Sequence, residues 1–365
     1  MGENYKIIAT PENILKGKFS PDKLPVLRIC DGTTVEIETI NSDIAALEKK
    51  TTNTFADVKE TEREELSIRD ADPEPYYQKY GIRIDTPGMR KLCAALDEAE
   101  PKGYNSQCNT GPIAIEGALP GDVLEIQIRK LELTEPCGCM FLIPGIGGAP
   151  DIVSHSVCQR VIYNEERTET ELFGQKITLE PFLGIMAVAD KEDKIAQPPG
   201  LFGGNLDLKE LKMGTSLFLP VLVKDALFYA GDPHAVQGNG ESGMTAIETC
   251  GLNCTLKFVL HKNKYIDSPQ AETPDYFVIT GLDEDLNEAA HKAVKNAAAF
   301  IAEKNKLKPE QALMLCGAAV DFDITQIVDG VKGVHAMIPK SIINMEDHYF
   351  WNADGHCRYN GKETK

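Results

Sequence analysis

The sequence predicts an α+β fold that is predominantly β, with a β-sandwich-like core, added helices and a helical segment near the C-terminus. Three observations carry this. Short apolar runs with strand period recur along the 365 residues, 30 Gly and 21 Pro punctuate them, and helical periodicity is confined to the C-terminal third. A βαβ chain would place helices between successive strands.

Element by element, Pro25–Cys30 and Val35–Thr39 flank Asp31-Gly32, which predicts a β-hairpin. Residues 46–72 are densely charged and predict a solvated helix or an ordered surface excursion. Thr86-Pro87 suits the start of a helix running to Leu96, with Thr as N-cap and Pro at the first helical position. After the turn Pro120-Gly121-Asp122, Leu124, Ile126 and Ile128 alternate with polar residues. The alternation slips at Lys130, predicting a bulge or bend. Residues 217–223 and 226–229 predict two strands, the first confined by Pro220 to an edge or bulge. Further strands are expected at 255–260, 276–280 and 320–324. A helix capped by Asp283 or Asp285 should bury Leu286, Ala289, Val294, Ala297 and Ile301, and Pro309 should open a second helix through Leu315. No tandem repeat or linker is visible. The organisation expected is a β-rich N-terminal lobe, 1–165, and a C-terminal lobe, 166–365, acting as one catalytic unit.

Fifty-six acidic against 38 basic residues leave a net charge of −18, a field that repels phosphate backbones and anionic lipid. Nucleic acid and membrane are therefore excluded as expected partners. Residues 1–6 lack an apolar signal core, so a cytoplasmic location and reduced thiols are expected. Of the ten cysteines, Cys30, Cys93, Cys158 and Cys316 sit among apolar residues and read as small buried hydrophobes. Cys137-Gly138-Cys139 and Cys250 with Cys254 lack zinc-ribbon spacing.

One stretch concentrates chemistry: Gly231-Asp232-Pro233-His234-Ala235-Val236-Gln237-Gly238-Asn239-Gly240-Glu241-Ser242-Gly243-Met244-Thr245-Ala246-Ile247-Glu248. It reads as a loop leaving an apolar strand, the usual way a sheet presents polar groups to a cleft. Asp232 and His234 are two apart, so an extended backbone aims both at one face. Imidazole with carboxylates is the donor set of a catalytic zinc site. The bland alternative is a turn capped by Asp232, with His234 bonded to backbone. Gly238-Asn239-Gly240-Glu241-Ser242-Gly243 matches G-x-G-x-x-G, but too few residues follow for a crossover helix, so a nucleotide site is rejected. Ser242 also lacks the serine-hydrolase elbow. In Gly203-Gly204-Asn205-Leu206-Asp207 two glycines let backbone approach a ligand, with an amide and a carboxylate beside them, or else mark a turn. His155, His261, His291, His335, His348 and His356 read as satisfied or solvated.

Taken in order, these clusters resemble the acetamidase/formamidase family. The stretches that carry the resemblance are Thr110-Gly111-Pro112, residues 116–124, Phe182-Leu183-Gly184 through Val188, Gly203 to Asp207, Gly231 to Glu241, Thr245 to Glu248, Thr280 to Leu286 and Pro339-Lys340. The resemblance implies a β-rich sandwich, a homodimer or higher oligomer, and hydrolysis of a small aliphatic amide to acid and ammonia. It also implies a divalent metal, zinc before calcium or another ion, around residues 232–248. On that basis Asp232, His234 and Glu248 are candidate metal ligands. His234 and Glu241 are the candidate catalytic residues, Glu241 as general base, and Asn205, Gln237 and Asp207 are candidate substrate-binding groups. Two departures stand out: Ile40-Asn41, where the family usually carries an aspartate, and residues 102–106, where it usually carries a histidine. Cys137-Gly138-Cys139 stands where the family tends to have aromatics. These changes motivate a rival, a non-catalytic β-sandwich ligand-binding homologue. A cysteine-nucleophile amidase finds no local motif.

Overall fold

The structure, a computed structural model, describes residues 5–41, 107–142, 145–152 and 157–344. The helices expected in 46–72 and 86–96, and residues 102–106, lie outside the described residues. Among those described, two nine-stranded sheets dominate. The first runs in the order Tyr5–Ile7, Thr34–Ile40, Gly251–His261, Val123–Leu133, Ser216–Pro220, Gln270–Glu272, Tyr276–Asp283, Lys332–Pro339, Asp321–Gln326. The second runs Gly203–Asn205, Phe182–Val188, Phe228–Val236, Ile247–Thr249, Cys137–Leu142, Val157–Ile162. Cys108–Ile115 also pairs with Phe228–Val236 and carries Ile14–Lys16 and Leu27–Ile29. The chain is mostly β with a sandwich core, as the sequence predicts.

The sheets share one apolar core. Ile37, Leu124, Ile126, Leu256 and Phe258 from the first meet Ile113, Ile115, Ile185, Phe228 and Ala230 from the second. The Phe228 and Phe258 rings meet edge to face, centroids 5.0 Å apart. The slip at Lys130 is a bulge: Thr255 pairs with Lys130 but Leu256 pairs with Ile128, leaving Arg129 extra.

Several local expectations need correction. Asp31-Gly32 does not close a hairpin. Leu27–Ile29 pairs in parallel with Cys108–Ile115 in the second sheet, whereas Thr34–Ile40 pairs with Gly251–His261 in the first. The turn is a corner between sheets, pinned by Gly32 N donating to Phe258 O and Leu260 N donating to the Asp31 carboxylate. Cys30 is exposed, because Ile29 takes the inward side of the alternation. Glu125 and Gln127 do not face water. Glu125 is fully buried, accepts from Gln127 Nε2 and Ser216 Oγ, and lies 2.8 Å from His261 Nε2. Ser216–Pro220 is an inner strand rather than an edge. Its pairing with Gln270–Glu272 stops at Phe218, so Pro220 interrupts no ladder on that side. Asp225, Ala226 and Leu227 are all left-handed and form a turn, so the next strand starts at Phe228.

Two helices, α1 Leu286–Asn305 and α2 Pro309–Ala319, stand between the strands Tyr276–Asp283 and Asp321–Gln326. Asp285 is the N-cap of α1, its carboxylate accepting from Asn287 N and Glu288 N. The inner face is Ala289, Ala293, Ala297, Phe300 and Ile301, with Val294 only half-buried. Gly281 lets α1 lie directly on its strand at Ala289 and Ala293. Among the described residues no helix is long and apolar enough to cross a membrane.

Candidate functional site

The predicted loop after residue 230 is a strand as far as Val236, at the centre of the second sheet. Turn-like residues hide this: Asp232 is left-handed (φ 52°), and the ladder to Phe182–Val188 skips its position, where Gly184 stands opposite. His234 pairs with Phe182 on one side and Glu248 on the other, and Glu248 pairs with Cys139. Directly opposed residues put their side chains on one face. Hence the Phe182 ring stands edge-on to the His234 imidazole at 5.0 Å, and Glu248 lies beside it.

Around this imidazole the acids converge. His234 Nε2 is 3.3 Å from Asp232 Oδ2 and 3.3 Å from Glu248 Oε1, and Nδ1 is 3.8 Å from Asp207 Oδ1. Two triads therefore share His234: Asp232 with Glu248 toward Nε2, and Asp207 with Glu241. In each, one ligand atom per residue lies within 4.8 Å of the others. Three of the acids sit on left-handed backbone, Asp207 (φ 49°), Asp232 (φ 52°) and Glu241 (φ 45°). Such backbone is uncommon outside glycine and clusters at functional sites. Gly184 leaves the space in which they meet.

The supports differ by residue. Glu241 Oε1 accepts from Ala246 N at 3.1 Å, while Oε2 is buried without a partner. Gln237 Nε2 donates to Asp207 O at 2.8 Å. Asn41 Nδ2 donates to Glu248 Oε2 at 3.2 Å, so Asn41 touches the cluster. Asp329 brings a further buried carboxyl beside Asn205 and Asp207. All seven sequence-predicted residues, Asn205, Asp207, Asp232, His234, Gln237, Glu241 and Glu248, thus lie in one buried cluster. Asp329 is the member that sequence reading misses; in Val328-Asp329-Gly330 it looks like any turn residue. Thr110-Gly111-Pro112 serves packing instead, since a Cβ on Gly111 would lie 2.6 Å from Phe228 O. His261 and His335 are buried and partnered, by Glu125 and Thr325.

Electrostatically the cluster is overloaded with negative charge. Burial pushes Asp207 well above the usual carboxylate range, and Glu241, Asp329 and Asp232 push it further. Glu241 is raised well above that range by burial and then by Asp329, and Glu248 is raised by burial. Asp329 is pushed up to about 7, again by burial first. Burial disfavours the His234 imidazolium, but Glu248 and Asp232 outweigh it and raise this group well above 6.5. Neither nitrogen of His234 and neither carboxylate oxygen of Asp207 makes a hydrogen bond of good geometry. Buried polar atoms left in this way are costly unless something meets them. A divalent cation meets all of these needs, so the residues present fit one.

Comparison with known proteins adds likenesses of sequence and fold. Residues 189–345 match the Acetamidase/Formamidase family model. A formamidase of Methylophilus methylotrophus is 35% identical over 181 residues, 43% of this chain and 44% of that one. A putative formamidase of Schizosaccharomyces pombe is 46% identical over 216 residues, 43% of this chain and 52% of that one. The chain thus spans about half the length of the curated relatives it matches. The crystal structure of an acetamidase from Bacillus halodurans superposes with a TM-score of 0.71 at 26% identity, over 92% of this chain and 98% of that one. With the sandwich, the Gly203–Asp207 and Asp232–Glu248 segments and these likenesses together, the chain is similar to the acetamidase/formamidase family, in sequence over residues 189–345 and in fold over most of its length.

Proposed function

We propose that this protein is a metal-dependent hydrolase of small aliphatic amides, of the formamide and acetamide kind, giving a carboxylic acid and ammonia. One observation carries the reading: an imidazole whose two nitrogens lack hydrogen bonds stands among carboxylates that cannot all be ionised in a buried site without a cation. Asp232, His234 and Glu248 hold the cation. The imidazole favours zinc over calcium, which prefers all-oxygen sites. When bound, such an ion supplies Lewis acidity toward a carbonyl oxygen and makes water easier to deprotonate.

The chain's own groups do the rest. Glu241, anchored through Oε1, keeps Oε2 free to take a proton from water and deliver it to the departing ammonia. Its raised proton affinity, set by burial and by Asp329, suits a group that must take up a proton and give it back. Asn205 and Gln237 orient the amide, and Asp207 fixes Gln237 through its backbone carbonyl. Phe182 and the buried strands around it keep bulk water away from the imidazole. A cytoplasmic location belongs to the same reading and rests on the sequence alone. Assembly as a homodimer or higher oligomer is part of this reading, suggested by the resemblance to the family.

The test is ammonia release from a panel of short amides by metal-loaded protein, with and without chelator, alongside elemental analysis. Turnover abolished by chelator, with about one divalent ion per chain, is expected. Background metal and amide binding without turnover would favour the non-catalytic homologue, for which Asn41 is the supporting observation. Alkylation of the thiols should leave turnover intact.

A further inference from the structure

Outside the amide site, the buried imidazole of His335 has a nitrogen that no hydrogen bond meets. Asp323 stands directly opposite His335 where Asp321–Gln326 pairs with Lys332–Pro339, so both side chains lie on one face. Their neighbours Phe322 and Ala336 pack toward the helices, so this pair faces the other way. There it meets Glu210, on the loop that follows Gly203–Asn205 of the second sheet and is anchored in the core by Leu208 and Leu211. His335 Nε2 lies 3.6 Å from Glu210 Oε2 and 4.0 Å from Asp323 Oδ2. Both Nε2 and Glu210 Oε2 are buried without a hydrogen bond, and His335 is 0% exposed. The gap of 3.6 Å is too wide for a hydrogen bond. Two ligands of a tetrahedral zinc, each about 2.1 Å from the ion, stand roughly 3.4 Å apart.

We propose that Glu210, Asp323 and His335 form a second divalent-cation site, separate from the His234 cluster, which takes zinc or a similar transition-metal ion. One nitrogen and two carboxylates suit such an ion better than calcium or magnesium, which prefer all-oxygen sites. The imidazole is prepared as a ligand. Burial lowers it to about 4, so it is neutral at pH 7. Its Nδ1, 2.8 Å from Thr325 Oγ1, can donate to that hydroxyl, which leaves the lone pair of Nε2 free. The Asp323 side chain, 42% exposed, closes on the ion from the open side, where water completes the coordination.

The role of this ion is structural. It staples the two sheets at one edge, fixing the loop that carries Asp207 against the strand Asp321–Gln326. Thr325 O of that strand accepts from Gly240 N, and Ile327 N donates to Gly240 O, so the same strand also steadies the Glu241 segment. The site is the weaker of the two. Lys209 Nζ already lies 3.2 Å from Glu210 Oε1, and its charge opposes a cation here. The His234 cluster sets more carboxyls around its imidazole, so the purified chain keeps its one ion there and takes the second when zinc is added.

The test adds zinc to the full chain, counts bound ions by elemental analysis after equilibrium dialysis, and reads the second affinity by competition with a chromophoric chelator. Wild type should reach about two ions per chain, and the second should raise the urea midpoint. Glu210→Gln and Asp323→Ala should each weaken the second ion by at least about tenfold and leave the first at wild-type affinity. His335→Gln should abolish the second ion, and if that variant does not fold the two carboxylate variants decide. His234→Ala, which loses the first ion, should keep the second, so the two sites are told apart and failure of the amide-hydrolase reading leaves this one standing. A wild type that saturates at one ion overturns the proposal, as does a second ion that any of Glu210→Gln, Asp323→Ala and His335→Gln holds with wild-type affinity.

Discussion

Gly184 faces His234 with no room for a side chain between them: a methyl group on Gly184 would lie 2.9 Å from Cε1 of the imidazole. It would also lie 2.5 Å from Asp207 Oδ1 and 2.6 Å from Asp232 Oδ2. The absence of a Cβ here is what allows two acids on left-handed backbone to close on one ring. Gly184→Ala should therefore cost about 1–3 kcal/mol of stability through overpacking, and should lower metal content as the acids are pushed apart. Elemental analysis and urea midpoints check both effects. A variant with wild-type metal and midpoint would show that the acids converge with slack to spare.

Glu241 and His234 separate base from ligand. His234→Ala should lose both the metal and the activity, because it supplies the nitrogen donor of both triads. Glu241→Gln keeps its bond from Ala246 N but cannot take a proton, so the rate should fall by about 10²–10⁴-fold with metal retained. Metal lost from Glu241→Gln but kept in His234→Ala would exchange the roles.

Asn41→Asp probes the contact between position 41 and Glu248 directly. Asn41 Nδ2 donates to Glu248 Oε2, and an aspartate there would replace a donor with a carboxylate facing a carboxylate. In metal-loaded protein a further anionic ligand should tighten cation binding, on the order of tenfold, measured by competition with a chromophoric chelator. In metal-free protein the same change should destabilise the fold by like-charge repulsion. Equal metal affinity in both proteins would place position 41 outside the coordination sphere.

The sequence shows much of the site and less of the topology, for a physical reason. Asp207, Asp232, His234, Glu241 and Glu248 stand in two glycine-rich segments, and unusual local composition is visible without a fold. Asp329 reaches the site only because two backbone bonds at Gly240 bring its turn there, and no local pattern encodes that contact. Asp31-Gly32 failed as a hairpin signal because a corner between sheets and a tight hairpin need the same turn residues. The strand Phe228–Val236 reads as a loop because Gly231-Asp232-Pro233 is turn chemistry, here used to kink a central strand where the acids meet His234. Helix α1 was legible from its cap and period, although a run of small residues shifted its inner face from Val294 to Ala293.

His335 makes the acid limb of the stability profile predictable. It is fully buried, with Nδ1 2.8 Å from Thr325 Oγ1 and Nε2 3.6 Å from Glu210 Oε2. Burial lowers this imidazole to about 4, Asp323 opposing the effect and Lys209 adding to it. The folded protein thus holds His335 neutral while the unfolded chain takes up a proton near pH 6.5. As pH falls from about 6.5 to about 4, the unfolded state binds more protons and stability declines; below about 4 both states are protonated and this contribution flattens. A shift of this size is worth about 3 kcal/mol across that window. His335→Gln keeps a polar group for Thr325 but does not titrate, so its stability relative to wild type should rise by about that amount between pH 7 and pH 4. Urea denaturation of metal-free wild type and variant at several pH values measures the difference and cancels the titration of the carboxylate cluster, which both share. Parallel curves would assign the acid sensitivity to that cluster instead of His335.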